Sequence, residues 1–363
     1  MTVRPALLIR VLLEPERARH LAPAEWETLI RQGRSAQLLP RLAVILGEHD
    51  LLGHVPAQPR SHLQASLHVL ARQRQAVRWE VEHLLLACEQ ADVPLVLLKG
   101  AAYVMADLPP GRCRIFSDFD LLVPKDSLTR FETVMLMHGW SSAEHGAYDQ
   151  RYYRTWMHEL PPLRHITRDS VVDIHHNLVP DTARHRPDPA RLLQAAVACP
   201  GRPEIRVLNG YDMILHSAVH LFQDGEFDHA LRDLFDLRDL VSHFIHSAED
   251  GEALVRRAVE LDLAIPLVYT FRYLSRLLEL PVPPSVFAML KEHGPGPLGL
   301  AVRDALFERA LQPDNPTCSD WLSGPARFTL YARGHALRMP LALLLPHLAR
   351  KALTRMNLLP EPG

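Results

Sequence analysis

Two aspartates one residue apart, Asp118 and Asp120, stand in the run Ser117-Asp118-Phe119-Asp120-Leu121-Leu122-Val123. The run reads as a β-strand, and side chains on a strand alternate between faces, so both carboxylates project to one side, about 7 Å apart along the backbone. Two like charges so placed repel unless a cation lies between them. Mg²⁺ suits such a pair, because it is usually held by one or two carboxylates together with the phosphates of a substrate. Upstream, Leu97-Leu98-Lys99-Gly100 ends an apolar run in a glycine turn that could bring backbone N–H groups to those phosphates. The pair and the turn point to phosphoryl or nucleotidyl chemistry.

A further carboxylate lies in the middle of Ser170-Val171-Val172-Asp173-Ile174-His175, which also reads as a strand. Burying Asp173 between Val172 and Ile174 is costly unless the charge is compensated, which favours a functional role. An Asp-x-Asp pair alone belongs by default to a solvated strand face; the Lys-Gly turn and Asp173 shift the balance towards metal binding. Arg114 is open to two readings, a bidentate contact to phosphate or a structural salt bridge to Asp118 or Asp120, and Arg112 stands nearby. His175 shares a strand face with Asp173 and suits a supporting hydrogen-bond role behind the site. His216 and His220 are four apart on one helix face, yet Ser217-Ala218-Val219 lacks the glutamate of a zinc-protease motif, so they are expected in a polar seam facing the core. Asp233, Asp236 and Asp239 with Arg232 and Arg238 read as helix-surface or interdomain ion pairs.

The elements that carry these residues form an α/β (α+β) core with a mixed sheet, embedded between helical regions. Residues 1–90 have helical spacing, most clearly over Ser61 to Gln90, where Leu63, Leu67, Leu70, Val77, Val81, Leu84 and Leu85 make one broad apolar face. Residues 91–180 hold the core: a strand over Val93 to Leu98, a short helix over Ala101 to Asp107, a strand over Phe119 to Val123, a helix over Ser127 to His138 and a strand ending at His175. Residues 181–330 return to helices, with Tyr211 to Phe222, Ala230 to Phe244, Glu252 to Leu261 and Leu267 to Leu280 amphipathic. A tail over 331–363 completes the division. Between Trp321 and Pro360 there is no acidic residue, while Arg327, Arg333, Arg338, Arg350, Lys351 and Arg355 interleave with leucines. Such a segment suits contact with an anionic surface or packing as a terminal helix.

The 363 residues suffice for two or three structural units, and 47% hydrophobic with 23% charged residues excludes a disordered chain. A formal net charge of −2 gives no global attraction to nucleic acid. Cys88, Cys113, Cys199 and Cys318 make no CxxC pair and no disulfide framework. The N-terminal apolar stretch is interrupted by arginine and is too short to span a membrane. Together these features lead to the expectation of a cytoplasmic protein.

Strand, Lys99-Gly100 turn, short helix, then Arg114-x-x-x-Asp118-x-Asp120-Leu121-Leu122-Val123, and later Val172-Asp173-Ile174-His175, resemble the uncharacterised bacterial nucleotidyltransferases of the DNA polymerase β-like superfamily. The likeness is strong over 93–178 and continues in character from about 20 to 350, with His216, His220, Arg232 and Asp236 in the downstream helical pattern. It departs from the superfamily in the turn, where Lys99-Gly100-Ala101 offers no hydroxyl to phosphates. The resemblance implies a Mg²⁺- or Mn²⁺-dependent enzyme that transfers NMP from an NTP such as ATP to an unidentified acceptor (small molecule, sugar, peptide, protein or RNA). Asp118, Asp120 and Asp173 would be the catalytic metal ligands, with Asp173 nearest the acceptor. Lys99, Gly100, Arg114 and Ser117 would meet the nucleotide. Transfer of a γ-phosphate, and an inactive nucleotide- or partner-binding adaptor, are the alternatives.

Overall fold

A computed structural model describes residues 5–142 and 156–339. Four helices come first: α1 (Leu7–Leu13), α2 (Pro23–Ser35), α3 (Leu39–Glu48) and the long α4 (Ala57–Gln90). The core follows as β1 (Leu95–Leu98), α5 (Lys99–Met105), β2 (Asp118–Leu122), α6 (Leu128–Met137), β3 (Trp140–Ser142), β4 (Leu163–His165) and β5 (Val171–His175). A short α7 (Pro189–Ala195) leads to the hairpin β6 (Val197–Cys199) and β7 (Arg202–Val207). Helices α8 (Gly210–Gln223), α9 (Ala230–Phe244), α10 (Ala248–Glu260), α11 (Ala264–Leu278), α12 (Pro284–Lys291), α13 (Pro297–Ala310) and α14 (Ser323–Arg338) form the rest.

The strands build one mixed seven-stranded sheet in the order β3-β4-β5-β2-β1-β7-β6. β2 runs parallel to β5 and antiparallel to β1, while β7 runs parallel to β1 on the other side. All four residues of β1 are buried, as expected for a central strand covered on both faces. This is the expected α/β arrangement with flanking helices. The sheet extends beyond residue 180, however, because β7 pairs with β1 through Leu95↔Ile205, Val96↔Arg206 and Leu97↔Val207. Arg202, Pro203, Glu204 and Arg206 disguise that strand in sequence; only Ile205 and Val207 point into the core. Its turn signal is Pro200-Gly201, where Gly201 takes φ +72°.

The Lys-Gly segment also folds differently from a glycine turn. The left-handed residue is Lys99, at φ +44°, and α5 starts there. Gly100 is needed for packing, since a Cβ on it would sit 2.6 Å from the Phe116 ring. At the C-terminal end, α14 runs through position 331, and its cations are already engaged. Arg327 pairs with Asp314, Arg333 donates to the Phe222 carbonyl (2.7 Å) and lies over Tyr269 and Phe307, and Arg338 pairs with Asp224 (2.6 Å). Arg350, Lys351 and Arg355 lie outside the described residues.

A buried ion network joins the three regions. Arg114, in the loop before β2, donates through Nη1 to Asp233 (3.0 Å) and to Asp236 on α9. Asp236, fully buried, also accepts from Arg41 of α3 (3.0 Å), and Arg41 reaches Asp239 at 2.6 Å. Arg232 pairs with Asp233 at 3.0 Å. The pairs made by Arg114 and Arg41 join different regions of the chain, whereas Arg232–Asp233 lies within α9. Removing one member strands buried charge, so Arg114→Met is expected to lower unfolding free energy by about 3–5 kcal/mol. Urea denaturation of the two proteins measures it, and a loss within about 0.5 kcal/mol would show the network to be energetically idle.

Candidate active site

β2 and β5 lie side by side in parallel register, with Asp120 opposite Asp173. Residues paired across a sheet share a face, and the period of two adds Asp118 to the same face. One oxygen from each of Asp118, Asp120 and Asp173 lies within 4.8 Å of the others. The structure therefore brings together the three carboxylates singled out in sequence.

Their environments differ. Asp120 is 3% exposed, and its Oδ1 accepts from Lys99 Nζ and from His175 Nε2, each at 2.9 Å. Burial raises the Asp120 pKa, but Lys99 and His175 more than offset it and hold the carboxyl well below the usual range. Burial lowers the Lys99 ammonium in turn, and Asp120 outweighs that, so Lys99 stays charged. Asp173 has no such partner: burial first, then the charge of Asp120, pushes it up to about 7. Its Oδ1 is buried with no hydrogen-bond partner among the described residues. An orphaned oxygen among three converging carboxylates fits a hard divalent cation, which takes oxygen ligands.

Lys99 reaches Asp120 because its left-handed backbone breaks the alternation of β1. Its ammonium is bonded to that carboxylate, and Arg114 is bonded to Asp233 and Asp236, so neither sequence-predicted phosphate contact is an uncommitted cation. Both still border a cavity of about 350 Å³ together with Gly100, Ser117, Asp118, Asp120, His220 and Arg232. Gln37, Glu226 and His229 complete its wall and carried no sequence signal beyond their polarity. A larger cavity, about 640 Å³, lies between α2 and the start of α4, away from the carboxylates.

The histidines occupy the seam behind the site. His216 is buried, and burial followed by the Lys99 charge holds its imidazole well below the ordinary range, hence neutral. His220, one turn on, lies 3.7 Å from Asp233 and 3.6 Å from Asp224. His175, 3% exposed, bridges outward from Asp120, with Nδ1 3.3 Å from Glu159 Oε2. Burial lowers His175 while Asp120 and Glu159 raise it, and the net direction is upward. Sequence reasoning missed His158 and Glu159. Their one signal is a polar pair immediately before Leu160-Pro161-Pro162, which no periodicity connects to β5.

Among curated proteins, none matches the chain. Solved structures give distant likenesses. The solution structure of the antibiotic-resistance factor ANT(2″)-Ia is 16% identical, over 55% of this chain and 94% of that one, with a TM-score of 0.32. The crystal structure of ANT(2″)-Ia with adenylyl-2″-tobramycin is 17% identical over 50% and 96%, with a TM-score of 0.34. JHP933 from Helicobacter pylori is 16% identical over 79% and 97%, with a TM-score of 0.32. In sequence, residues 22–279, which include every carboxylate and histidine of the site, match the family model described as "Uncharacterised nucleotidyltransferase". The chain belongs to that nucleotidyltransferase family.

Proposed function

We propose that the protein transfers an NMP group from an NTP to a hydroxyl-bearing acceptor, with the reaction centred on Asp118, Asp120 and Asp173. The observation that carries this reading is the three-carboxylate face with one buried oxygen of Asp173 unpartnered. Asp118, Asp120 and Asp173 would hold Mg²⁺ or Mn²⁺. Such ions supply charge stabilisation at the phosphoryl oxygens and lower the pKa of a bound hydroxyl.

The chain's own residues divide the remaining work. Lys99 and His175 both engage Asp120 Oδ1 and fix the carboxylate, which leaves its second oxygen for a ligand. Arg114, held by Asp233 and Asp236, positions the loop that delivers Ser117 and Asp118. Arg232 and Lys99 place their cationic side chains on the cavity wall, where the phosphates of a triphosphate would meet them. The acceptor oxygen attacks the α-phosphorus, the bond from that phosphorus to the bridging oxygen breaks, and pyrophosphate leaves. Asp173 is placed to receive the acceptor proton.

No helix among the described residues is long and apolar enough to cross a membrane. A soluble, cytoplasmic setting with ATP as donor is part of the same proposal.

Three measurements bear on it. Calorimetry with Mn²⁺ and a non-hydrolysable NTP should show Asp118→Asn and Asp120→Asn weakening metal-dependent binding by about tenfold or more, the order seen when support of a metal site is lost. Unchanged affinity in both would remove the metal assignment.

Asp173→Asn should lower kcat by about 10²-fold or more, the scale of general acid–base catalysis, while NTP affinity changes far less. A variant with full turnover would leave Asp173 a structural role only.

With an acceptor in hand, ATP labelled at the α-phosphate should pass its label to product with release of pyrophosphate. Label arriving from the γ-position instead would identify a phosphotransferase, and no transfer from either position would identify a binding protein.

A further inference from the structure

A second set of metal-ligating side chains adjoins the carboxylates on the far side of His175. The segment holding His158 and Glu159 runs antiparallel beside β5: Leu160 N–H donates to the Ile174 carbonyl (2.9 Å), and His176 N–H donates to the His158 carbonyl (2.8 Å). A single bridge pairs Glu159 with His175. One ligand atom from each of His158, Glu159 and His175 lies within 4.8 Å of the other two.

The tautomer of His175 decides what that pocket wants. A carboxylate only accepts, so the 2.9 Å contact with Asp120 places the hydrogen on Nε2. His175 Nδ1, on the other side of the ring, faces Glu159 Oε2 at 3.3 Å and makes no hydrogen bond among the described residues. His158 Nδ1 is likewise buried with no partner. Three metal-ligating side chains thus converge, two of their nitrogens without a hydrogen-bond partner among the described residues. Among those residues, Lys99 and Arg338, whose charges act on His158, are already paired with Asp120 and Asp224.

We propose that His158, Glu159 and His175 bind a divalent transition-metal ion of the Zn²⁺ type, separate from the Asp118–Asp120–Asp173 site. Two imidazoles and one carboxylate are ligands for Zn²⁺ and its neighbours rather than for Mg²⁺. Bonds of about 2.0–2.1 Å to tetrahedral Zn²⁺ place adjacent donors about 3.3 Å apart. The His175–Glu159 edge already has that length, and a ligand atom of His158 lies within 4.8 Å of both. The Asp120 bond to Nε2 fixes the ring and raises the basicity of Nδ1, as a carboxylate behind a ligating histidine commonly does. Asp120 would then face both sites at once, accepting from His175 on one oxygen and leaving the other for a ligand.

The full chain, stripped with EDTA and titrated with Co²⁺ in the absence of nucleotide, tests this. One equivalent should bind with a visible d–d band, Zn²⁺ should displace it, and X-ray absorption of the Zn²⁺ form should show imidazole scattering. His158→Ala, or the isosteric Glu159→Gln if the alanine variant does not fold, should weaken Co²⁺ binding by at least about tenfold. Asp118→Asn should leave it within about threefold, since that residue is outside the ligand set. The proposal is overturned if folded wild type binds no Co²⁺, which would leave a proton on Nδ1 as the occupant. It is also overturned if the bound ion shows oxygen ligation alone and is lost in Asp118→Asn but not in Glu159→Gln. None of these readouts requires turnover, so failure of nucleotidyl transfer and failure of this site are separable.

Discussion

The site depends on one buried charge. Asp120 sits in the sheet interior, where an uncompensated carboxylate would cost several kcal/mol. Lys99 and His175 meet it from the two neighbouring strands, both on the same oxygen. Lys99 can do so only because its backbone turns left-handed at the end of β1, an uncommon conformation for a side-chain-bearing residue. Gly100 must follow so that α5 can pack against Phe116, and Phe116 belongs to the loop that delivers Asp118. Strand end, loop and carboxylates are therefore coupled through a few atoms.

A second constraint sets where the helices stand relative to that sheet. Arg114 and Arg41 share Asp236, so the loop before β2, helix α3 and helix α9 meet at one fully buried carboxylate. The cavity beside the carboxylates adjoins this junction, with Gln37 from the N-terminal region and Arg232 and His229 from α9 and its start among the residues that line it. An arrangement of this kind costs desolvation, and buried ion networks commonly secure geometry rather than net stability. Arg114 thus acts on the site through position.

How much of this was legible in sequence follows from the range of each signal. Asp118 and Asp120 on β2, and Asp173 on β5, announced themselves because period-two alternation in short apolar runs is local information. The helices α8 to α11 were legible for the same reason, with boundaries shifted by a few residues. What stayed hidden is non-local. β7 carries only two inward apolar residues, so its membership of the sheet is decided by pairing with a strand more than a hundred positions earlier. The partners of Arg114 were narrowed to phosphate or carboxylate, and the structure put carboxylates from α9 there. His158 and Glu159 gain meaning only from lying across β5, which no spacing rule conveys.

The three carboxylates are chemically unequal, and that inequality bears on the proposed reaction. Asp120 has its charge compensated by protein groups before any ligand arrives, so it serves as the fixed member of the set. Asp118 and Asp173 are both half-buried, and Asp173 is uncompensated, pushed up to about 7 by desolvation of its carboxyl and by its neighbour's charge. An incoming cation gains most where negative charge is unmet, and here that is along the Asp118–Asp173 edge, with Asp120 supplying its second oxygen. On the proposed reading, cation binding and ionisation of Asp173 would favour each other, so metal, triphosphate and ionised Asp173 would gather together rather than one at a time.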